Sequence, residues 1–275
     1  MTTLASAAEV LRCFSLDRPY LTVTSTSALL GTPKSTASRL LRSMMEAGFL
    51  ETIGASKKYR PAALLYEVGR LYRDASSLTV RAHEVVARVC AQTGHTGYVS
   101  RRQGLDIVAV TDIPGTNALR VASSIGRRLE AFASATGRTL LSRLSDDAVR
   151  QLYQAPLIPP SPTAPQNLDE LLSRLAMVRR VGYAESNDES NRGVGALAVG
   201  VGDPETAEEV SLCISFPAAM ITAEERRTII GALRSGAAEI AAITRDPLFV
   251  HDPEVRESAM GAAAPISLSS RRVMA

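Results

Sequence analysis

The chain has 275 residues, 45% of them hydrophobic and 21% charged, a composition typical of a soluble globular protein with two domains. No run of about 18 apolar residues occurs, which excludes a membrane-spanning helix. Three widely separated cysteines exclude a disulfide framework: Cys13, Cys90 and Cys213. Residues 1–82 carry 11 basic and 6 acidic side chains, a net charge of +5 within a total of +3. This basic first third is typical of a nucleic-acid-binding module fused to a second domain.

The first predicted elements are two short helices. Residues 4–16 form one of them, with apolar side chains at helical spacing at Ala7, Val10, Leu11 and Phe14. Residues 22–30 form the second, which Gly31 ends. Because a third helix follows at once, this stretch predicts a helix-turn-helix, whose second helix enters the major groove of DNA.

The third predicted helix, over residues 32–48, has both ends marked in the sequence. Thr32 is a candidate N-cap, Pro33 suits the first helical position, and Gly48 can close the helix in the left-handed conformation. One face is apolar, formed by Ala37, Leu40, Leu41, Met44 and Met45. The opposite face carries hydroxyls and arginines, side chains that bond to phosphates and base edges.

A basic hairpin is predicted after this helix. Residues 48–53 and 59–60 form its strands around a turn with two lysines near its tip, so the order of elements predicts a winged helix-turn-helix. The alternative is a solvated surface with exposed lysines and with Arg39 paired to Glu46 or to a neighbouring residue. The candidate DNA-contacting residues are Pro33, Lys34, Ser35, Thr36, Ser38, Arg39, Arg42, Lys57 and Lys58.

The rest of the chain alternates between helices and strands. Residues 62–78 predict a helix that serves as a connector and dimer contact, or else packs on its own domain. Further helices are predicted over residues 80–93, 133–144, 147–153, 167–180 and 222–243, with Asn167 capping the fourth and a Thr222–Glu225 capping box opening the fifth. Strands are predicted over residues 96–102, 105–112, 119–122, 196–201 and 210–216. Five prolines in residues 154–167 predict an exposed loop. Together these elements predict an α+β domain with a mostly antiparallel sheet.

This pattern divides the chain into four parts. They are a winged helix-turn-helix domain over residues 1–61, a linker helix over 62–79, an α+β domain over 80–247 and a loose tail over 248–275. The first residues lack the pattern of a signal peptide, so we expect a cytoplasmic protein. With three histidines and scattered cysteines, we expect neither a protein-bound metal nor a cofactor.

Several segments together resemble the IclR family of transcriptional regulators. Residues 31–41 read GTPKSTASRLL, close to the family's G-L-P-K-S-T-x-x-R-L-L. Weaker matches follow in the family's order: VASSIGRRL over 121–129, ASATGR over 133–138, RVGY over 180–183 and ISFP over 214–217. The resemblance covers about residues 4–244, which is nearly the whole chain.

The resemblance implies an N-terminal winged helix, a linker helix and a GAF-like or profilin-like effector-binding domain. It implies a regulator, here predicted to be a repressor, that binds palindromic operators in double-stranded DNA as a homodimer or as a dimer of dimers, a homotetramer. The implied effector is a small organic acid. Positions that line the effector pocket in relatives fall on Ala135, Thr136, Ser186, Ala196, Cys213 and Ser215, with Phe132 and Ser134 beside them.

The sequence departs from the family pattern at informative positions. Thr26 and Thr32 stand where the family usually has Ile and Leu. The family's P-L-H-A-T-A-x-G-K appears as EAFASATGR over residues 130–138, so Glu130 and Phe132 replace the usual Pro and His. Because Phe132 makes the pocket less polar, we hypothesise an aromatic or otherwise partly apolar acid as the effector.

Two other functions stay open on the sequence. An enzyme would need a nucleophile or base, for which Ser134, Cys213 and His95 are candidates, but none lies in a known catalytic motif. The second domain could instead only dimerise and bind no small molecule. The small polar side chains of the implied pocket argue against that alternative.

Overall fold

The computed structural model describes residues 3–15, 18–54, 56–121 and 128–249, whose contacts divide into two compact units with the boundary between Val80 and Arg81, within the first turn of the helix over Ser77–Thr93 that continues into the second unit. No helix within these ranges combines the length and apolarity needed to cross a bilayer. The predicted C-terminal tail lies outside the described residues from residue 250 onward.

The first unit is a winged helix-turn-helix, as the sequence predicts. Its elements are α1 (Thr3–Arg12), α2 (Val23–Leu30), α3 (Lys34–Glu46), β1 (Leu50–Thr52), β2 (Tyr59–Pro61) and α4 (Ala63–Ala75). The two strands pair antiparallel and form the wing. Side chains from α1, α3, β1 and the segment before α2 form the buried core of this unit: Val10, Leu21, Leu41, Met44 and Leu50.

The first helix is shorter than predicted. It ends at Arg12 rather than at residue 16, because the chain reverses through a bridge in which the backbones of Ser15 and Arg18 bond to each other. Backbone bonds between Leu21 and Tyr59 then tie the segment before α2 to the second strand of the wing. The wing is therefore anchored at its base to the helical part of the unit.

The second unit is an α+β domain around a six-stranded sheet. Its helices are α5 (Ser77–Thr93), α6 (Ala135–Leu141), α7 (Asp146–Leu152), α8 (Leu168–Val181) and α9 (Ala223–Thr244). Its strands are β3 (Thr96–Gln103), β4 (Asp106–Ile113), β5 (Arg128–Glu130), β6 (Ala184–Asn187), β7 (Val194–Asp203) and β8 (Glu208–Pro217). The strand order is β5-β4-β3-β8-β7-β6, and all neighbours are antiparallel.

Helices cover both faces of this sheet. On one face a side chain at Gly97 of β3 would collide with Val86 and Cys90, which places α5 there. The hydroxyl of Thr139 in α6 donates to that of Ser211 in β8, which places α6 on the opposite face. The strands under α6 carry mostly small residues on this face, and it carries the candidate ligand site.

Several elements of the second unit differ from the prediction, among them β6, for which no strand was predicted. Residues 119–121 lie outside any strand and Ala122 lies outside the described residues, while the third strand is β5. Just before residues 119–121, the backbone amides of Thr116 and Asn117 both bond to the carbonyl of Gly94, so residues 116 and 117 are held beside the end of α5. The helix predicted over residues 133–144 is the shorter α6, which Ser134 caps.

Candidate nucleic-acid interface and ligand-binding face

The helix-turn-helix is built from a capped helix and a glycine turn. Thr22 caps α2, and its side chain and that of Ser25 form a capping box. Gly31 ends α2 with a φ of 61°, a conformation that favours glycine, and its amide bonds back to the carbonyl of Ser27. The hydroxyl of Ser27 donates to the carbonyl of Thr32 at 2.6 Å, which fixes the turn that leads into α3.

The start of α3 corrects one prediction. The N-cap is Pro33 and the first helical residue is Lys34, so Thr32 does not cap the helix. The hydroxyl of Thr32 is buried and has no hydrogen-bond partner among the described residues. At the other end Gly48 adopts a φ of 77°, and the left-handed closure predicted there is confirmed.

The two faces of α3 separate as the sequence predicts, apart from its last turn. Ala37, Leu41 and Met44 are buried, whereas Met45 is exposed. The outward side, here called the recognition face, consists of exposed or half-buried residues: Pro33, Lys34, Ser35, Thr36, Ser38, Arg39 and Arg42. Within the described residues, neither arginine of this face forms an ion pair, and the alternative pairing of Arg39 with Glu46 does not occur. Their guanidinium groups are therefore available to phosphates and guanine edges.

The wing adds a second positive surface. Lys57 and Lys58 are both exposed near its tip. The ammonium of Lys58 lies 5.7 Å from the ring centre of Tyr20, within the range of a cation–π contact. Tyr20 precedes the residue that bonds to the wing, and sequence reasoning missed its role because the pairing of Leu21 with Tyr59 joins segments far apart in the chain.

The second unit brings four of the eight implied effector residues onto the sheet face under α6, and two more, Ala135 and Thr136, lie in α6 itself. Across β6, β7, β8 and β3, the register forms one row of Ser186, Ala196, Ser215 and Thr96. The neighbouring row is Ala184, Ala198, Cys213 and Tyr98. We call these eight residues the ligand face. Seven of the eight side chains are small.

Helix α6 forms the cover of this face. Ala135 packs against Cys213 and Tyr98 in one apolar cluster, with Ala196 partly buried at its border. The hydroxyl of Ser215 lies 3.8 Å from the thiol of Cys213. Burial raises the pKa of this thiol.

Phe132 and Ser134 stand apart from the ligand face. The ring of Phe132 packs in a different apolar cluster, edge-on to Tyr153 with ring centres 6.1 Å apart. The hydroxyl of Ser134 accepts from the amide of Gly137 at 3.0 Å as the cap of α6. These two residues support the helix that covers the ligand face.

Tyr98 is the residue of this face that sequence reasoning missed. It is 6% exposed and lies directly beside Cys213 in the neighbouring strand. Its ring is the largest side chain of the ligand face and packs in the same apolar cluster as Ala135 of α6. The strand was predicted correctly. The residue of β3 that lies beside Cys213 is set by the pairing of two strands more than 100 residues apart, and no local sequence pattern indicates that pairing.

The candidate catalytic residues do not form a catalytic arrangement. His95 packs against Phe216, and burial lowers the pKa of its imidazole. The hydroxyl of Ser134 is engaged as a helix cap, and the thiol of Cys213 has a raised pKa. A nucleophile needs a nearby base and a lowered pKa, which these positions lack.

A surface groove of about 570 Å³ lies elsewhere in the second unit, along α9. Tyr183, Arg227 and Arg234 line it, and none of the implied effector residues does. Among the described residues, no group of three or more His, Cys, Asp or Glu side chains is placed to hold a metal ion.

Comparison with known proteins identifies both units. The family model of the IclR helix-turn-helix domain matches residues 3–54, and that of the bacterial transcriptional regulator IclR C-terminal matches residues 72–242. The HTH-type transcriptional regulator XynR of Escherichia coli is 29% identical over 212 residues, which cover 76% of this chain and 83% of XynR.

Solved structures share the fold over most of the chain. A regulator of the same type from Alicyclobacillus acidocaldarius superposes with a TM-score of 0.78 at 26% identity, covering 87% of this chain and 97% of the other. An IclR homologue from Microbacterium hydrocarbonoxydans, solved in complex with 4-hydroxybenzoate, has a TM-score of 0.74 at 22% identity and covers 89% of this chain and 99% of the other.

Proposed function

The chain belongs to the IclR family of bacterial transcriptional regulators, and from this premise we propose how it binds its operator and its effector. The winged helix-turn-helix over residues 1–61 binds double-stranded DNA. The linker helix over 62–79 joins it to an effector domain over 80–247, with residues 248–275 as a tail. The observation that carries the proposal is the exposed row of hydroxyls and arginines on a helix that the family model matches.

The recognition face reads the operator in the major groove. Ser35, Thr36 and Ser38 lie in the N-terminal half of α3, the part of a recognition helix that reaches base edges, with Pro33 and Lys34 at its start. Arg39 and Arg42 are long enough to reach guanine edges. One such arginine contributes about 1–3 kcal/mol of discrimination between bases.

The wing lysines bind the phosphate backbone. Lys57 and Lys58 carry no sequence information there, but each neutralised phosphate releases counterions and strengthens binding at low salt. The contact of Lys58 with Tyr20 restricts where its ammonium can lie. The wing thus contributes affinity and orientation, while the recognition face contributes specificity.

The protein acts as a homodimer or as a dimer of dimers. Helix α4 supports this because Leu64, Val68 and Leu71 are 40%, 53% and 71% exposed and lie on one side of the helix at i, i+4 and i+7. An apolar stripe of this spacing is typical of a helix that packs against a second copy. Two copies would present two recognition helices to a palindromic operator.

The effector is a small organic acid, and the ligand face favours an aromatic one. Its alanines and the ring of Tyr98 suit a flat apolar body, and the hydroxyls of Thr136, Ser186 and Ser215 suit polar substituents. The relative from Microbacterium hydrocarbonoxydans, which has the same fold, was solved with 4-hydroxybenzoate, a molecule of this kind. Phe132 and Ser134 act through the placement of α6.

Control by the effector requires that it bind one arrangement of the dimer more tightly than another. We place the linker helix over 62–79 as the element through which this preference reaches the DNA-binding domains. Repression is the simpler direction of regulation, because a dimer bound at an operator excludes other proteins from that DNA and needs no further partner. A protein with this activity works in the cytoplasm, where the DNA is.

The test is a fluorescence anisotropy titration with operator fragments selected from the DNA upstream of its own gene. Arg39→Ala removes a proposed base reader, and Arg12→Ala is the control, because Arg12 is an exposed arginine at the end of α1. We expect Arg39→Ala to weaken specific binding roughly 10- to 100-fold for each operator half-site. Arg12→Ala should leave it nearly unchanged.

The effector arm repeats the titration with 4-hydroxybenzoate, benzoate and pyruvate. An aromatic acid that shifts operator affinity while pyruvate does not would support the proposed class. A shift by pyruvate alone would overturn the aromatic preference. A chain that binds its operator but no acid would instead favour the alternative that the second domain only dimerises.

A further inference from the structure

A buried arginine joins two distant segments that border the ligand face. Arg138 of α6 is 2% exposed, and its guanidinium donates to the carbonyl of Phe132 at 3.1 Å and to that of Glu185 at 2.5 Å. It also forms a two-pronged ion pair with the carboxylate of Glu189, which is 5% exposed. One side chain thus connects the segment before α6 with β6 and the turn that follows it.

Further bonds hold the same turn. The hydroxyl of Ser190 donates to the carbonyl of Ala133 at 2.6 Å. Arg174 of α8 donates to Glu189 at 3.2 Å and to the carbonyl of Thr163 at 3.0 Å. Glu189 therefore lies between two arginines, and the β6–β7 turn is fixed to α6, to α8 and to the proline-rich loop.

Stability alone is a poor explanation for this arrangement. Removing a carboxylate and a guanidinium from water costs about as much as their attraction returns, so apolar residues of similar volume often stabilise a protein equally well. What an ion pair with several fixed hydrogen bonds adds is a defined position for every group it joins. The groups joined here are the two sides of the ligand face: Ser186 follows Glu185, and Thr136 precedes Arg138 by two residues.

We infer that Arg138 and Glu189 are positioning residues for the effector: they hold Ser186 of β6 and Thr136 of α6 at the separation that the ligand requires, without touching the ligand. This inference rests on the proposed function of the ligand face. It extends the site to residues that sequence reasoning did not select, and it assigns the β6–β7 turn to effector recognition.

The same domain supplies a matched control. Arg143, 7% exposed, donates to both carboxylate oxygens of Asp246 at 2.8 and 2.9 Å and to Glu209 at 2.7 Å. Asp246 also accepts from the amide of Gly202 at 2.7 Å. This second buried network ties the end of α9 to the far end of β7, away from Ser186. Losing it should cost stability without moving the ligand face.

The experiment compares Glu189→Gln with Asp246→Asn, each of which removes the charge of a buried carboxylate and keeps its shape. Calorimetric titration of the full chain with 4-hydroxybenzoate, benzoate and pyruvate measures ligand affinity, and urea denaturation measures stability. We expect both variants to be less stable. Only Glu189→Gln should lose affinity for the acid, by at least about 10-fold. Loss of a supporting hydrogen-bonded group has an effect of this size at metal-binding sites. Its operator affinity without ligand should match the wild type.

A milder variant keeps the test informative if Glu189→Gln does not fold. Arg174 is one-third exposed, so Arg174→Gln leaves the Arg138 pair in place and removes one partner of Glu189. We expect a smaller loss of acid affinity, in the same direction. Equal acid affinity in wild type and in the folded Glu189 or Arg174 variants would overturn the inference, as would an equal loss in Asp246→Asn. If the wild type binds none of the acids, the proposed effector class itself fails and the inference falls with it.

Discussion

Replacing Lys57 and Lys58 by glutamine tests whether the wing binds the DNA backbone. Both side chains are exposed at the wing tip, so the change removes charge with little effect on packing. If each lysine neutralises one phosphate, its loss reduces the dependence of binding on salt as well as the affinity. A solvated wing tip predicts no change in either quantity.

The size of the effect follows from the number of charges removed. Each phosphate contact contributes about 0.9 to the slope of log affinity against log salt concentration, so a dimer that loses four contacts loses a slope of about 3.6. Between 50 and 200 mM salt, a fourfold range, this corresponds to a change of about 150-fold in the ratio of wild-type to variant affinity. The wild type should bind much better at 50 mM, and the two proteins should converge as salt rises.

The assay is operator binding by fluorescence anisotropy at four salt concentrations. The control is the double variant Arg12→Gln and Arg150→Gln, which loses the same charge from exposed arginines, one in α1 and one in α7, neither of them part of the wing or of the recognition face. Equal slopes for wild type and the lysine variant would refute the phosphate contacts. An equal loss of slope in the control would show that net charge, rather than the wing, sets the salt dependence.

Three further outcomes follow from the structure. Thr26 is fully buried and its hydroxyl has no partner among the described residues, so Thr26→Val should stabilise the first unit by about 1–3 kcal/mol in urea denaturation, whereas the exposed Thr24→Val should not. Iodoacetamide at pH 8 should alkylate Cys13 first, as followed by mass spectrometry, because Cys13 is half-buried whereas Cys90 and Cys213 are buried; rapid labelling of Cys213 would contradict this. Burial raises the pKa of all three thiols, that of Cys90 to about 12, so raising the pH should speed the reaction of Cys90. Phe132→Ala should cost about 3–5 kcal/mol of stability, with a smaller loss in Phe132→Leu, since its ring fills a cluster away from the ligand face.

The DNA-binding unit could be predicted from sequence because its signals are local. The apolar stripe of α3, the glycine after α2 and the alternating wing each lie within a few residues of the structure they specify. The caps at Asn167 and Thr222 were predicted for the same reason, and their side chains accept from the amides three residues on. An N-cap needs only its own helix to form.

Thr32 failed as a cap because a neighbour changed the geometry. Pro33 has extended ψ and takes the N-cap position itself, so the hydroxyl of Thr32 is one residue too early to reach a first-turn amide. The carbonyl of Thr32 accepts from Ser27 instead. Residue type alone does not separate these two arrangements.

The ligand face could be predicted only through the family resemblance. Its two rows draw one residue from each of four strands, and a shift of one residue in any pairing would turn that strand's contribution to the other face. The alternation of side chains along a strand defines two faces, but it does not indicate which face carries the ligand site or which residues pair with a strand 100 residues away. Tyr98 was missed for this reason, and residues 119–121 of the strand predicted over 119–122 lie outside any strand, just after a turn in which Thr116 and Asn117 bond to Gly94.

The departures of this chain from the family pattern over residues 130–138 act together. Where the family run has His, Phe132 places its ring in the core beside Tyr153 and presents its carbonyl to Arg138. Where that run ends in Lys, Arg138 reaches Phe132, Glu185 and both oxygens of Glu189 at once, which the single ammonium of lysine cannot do with the same fixed geometry. Phe132 therefore lies away from the ligand face and does not make that face less polar, while a planar guanidinium joins both sides of it. A face of alanines and one tyrosine ring that is rigidly held selects ligands by the shape of an apolar body, which is the physical basis for expecting an aromatic acid.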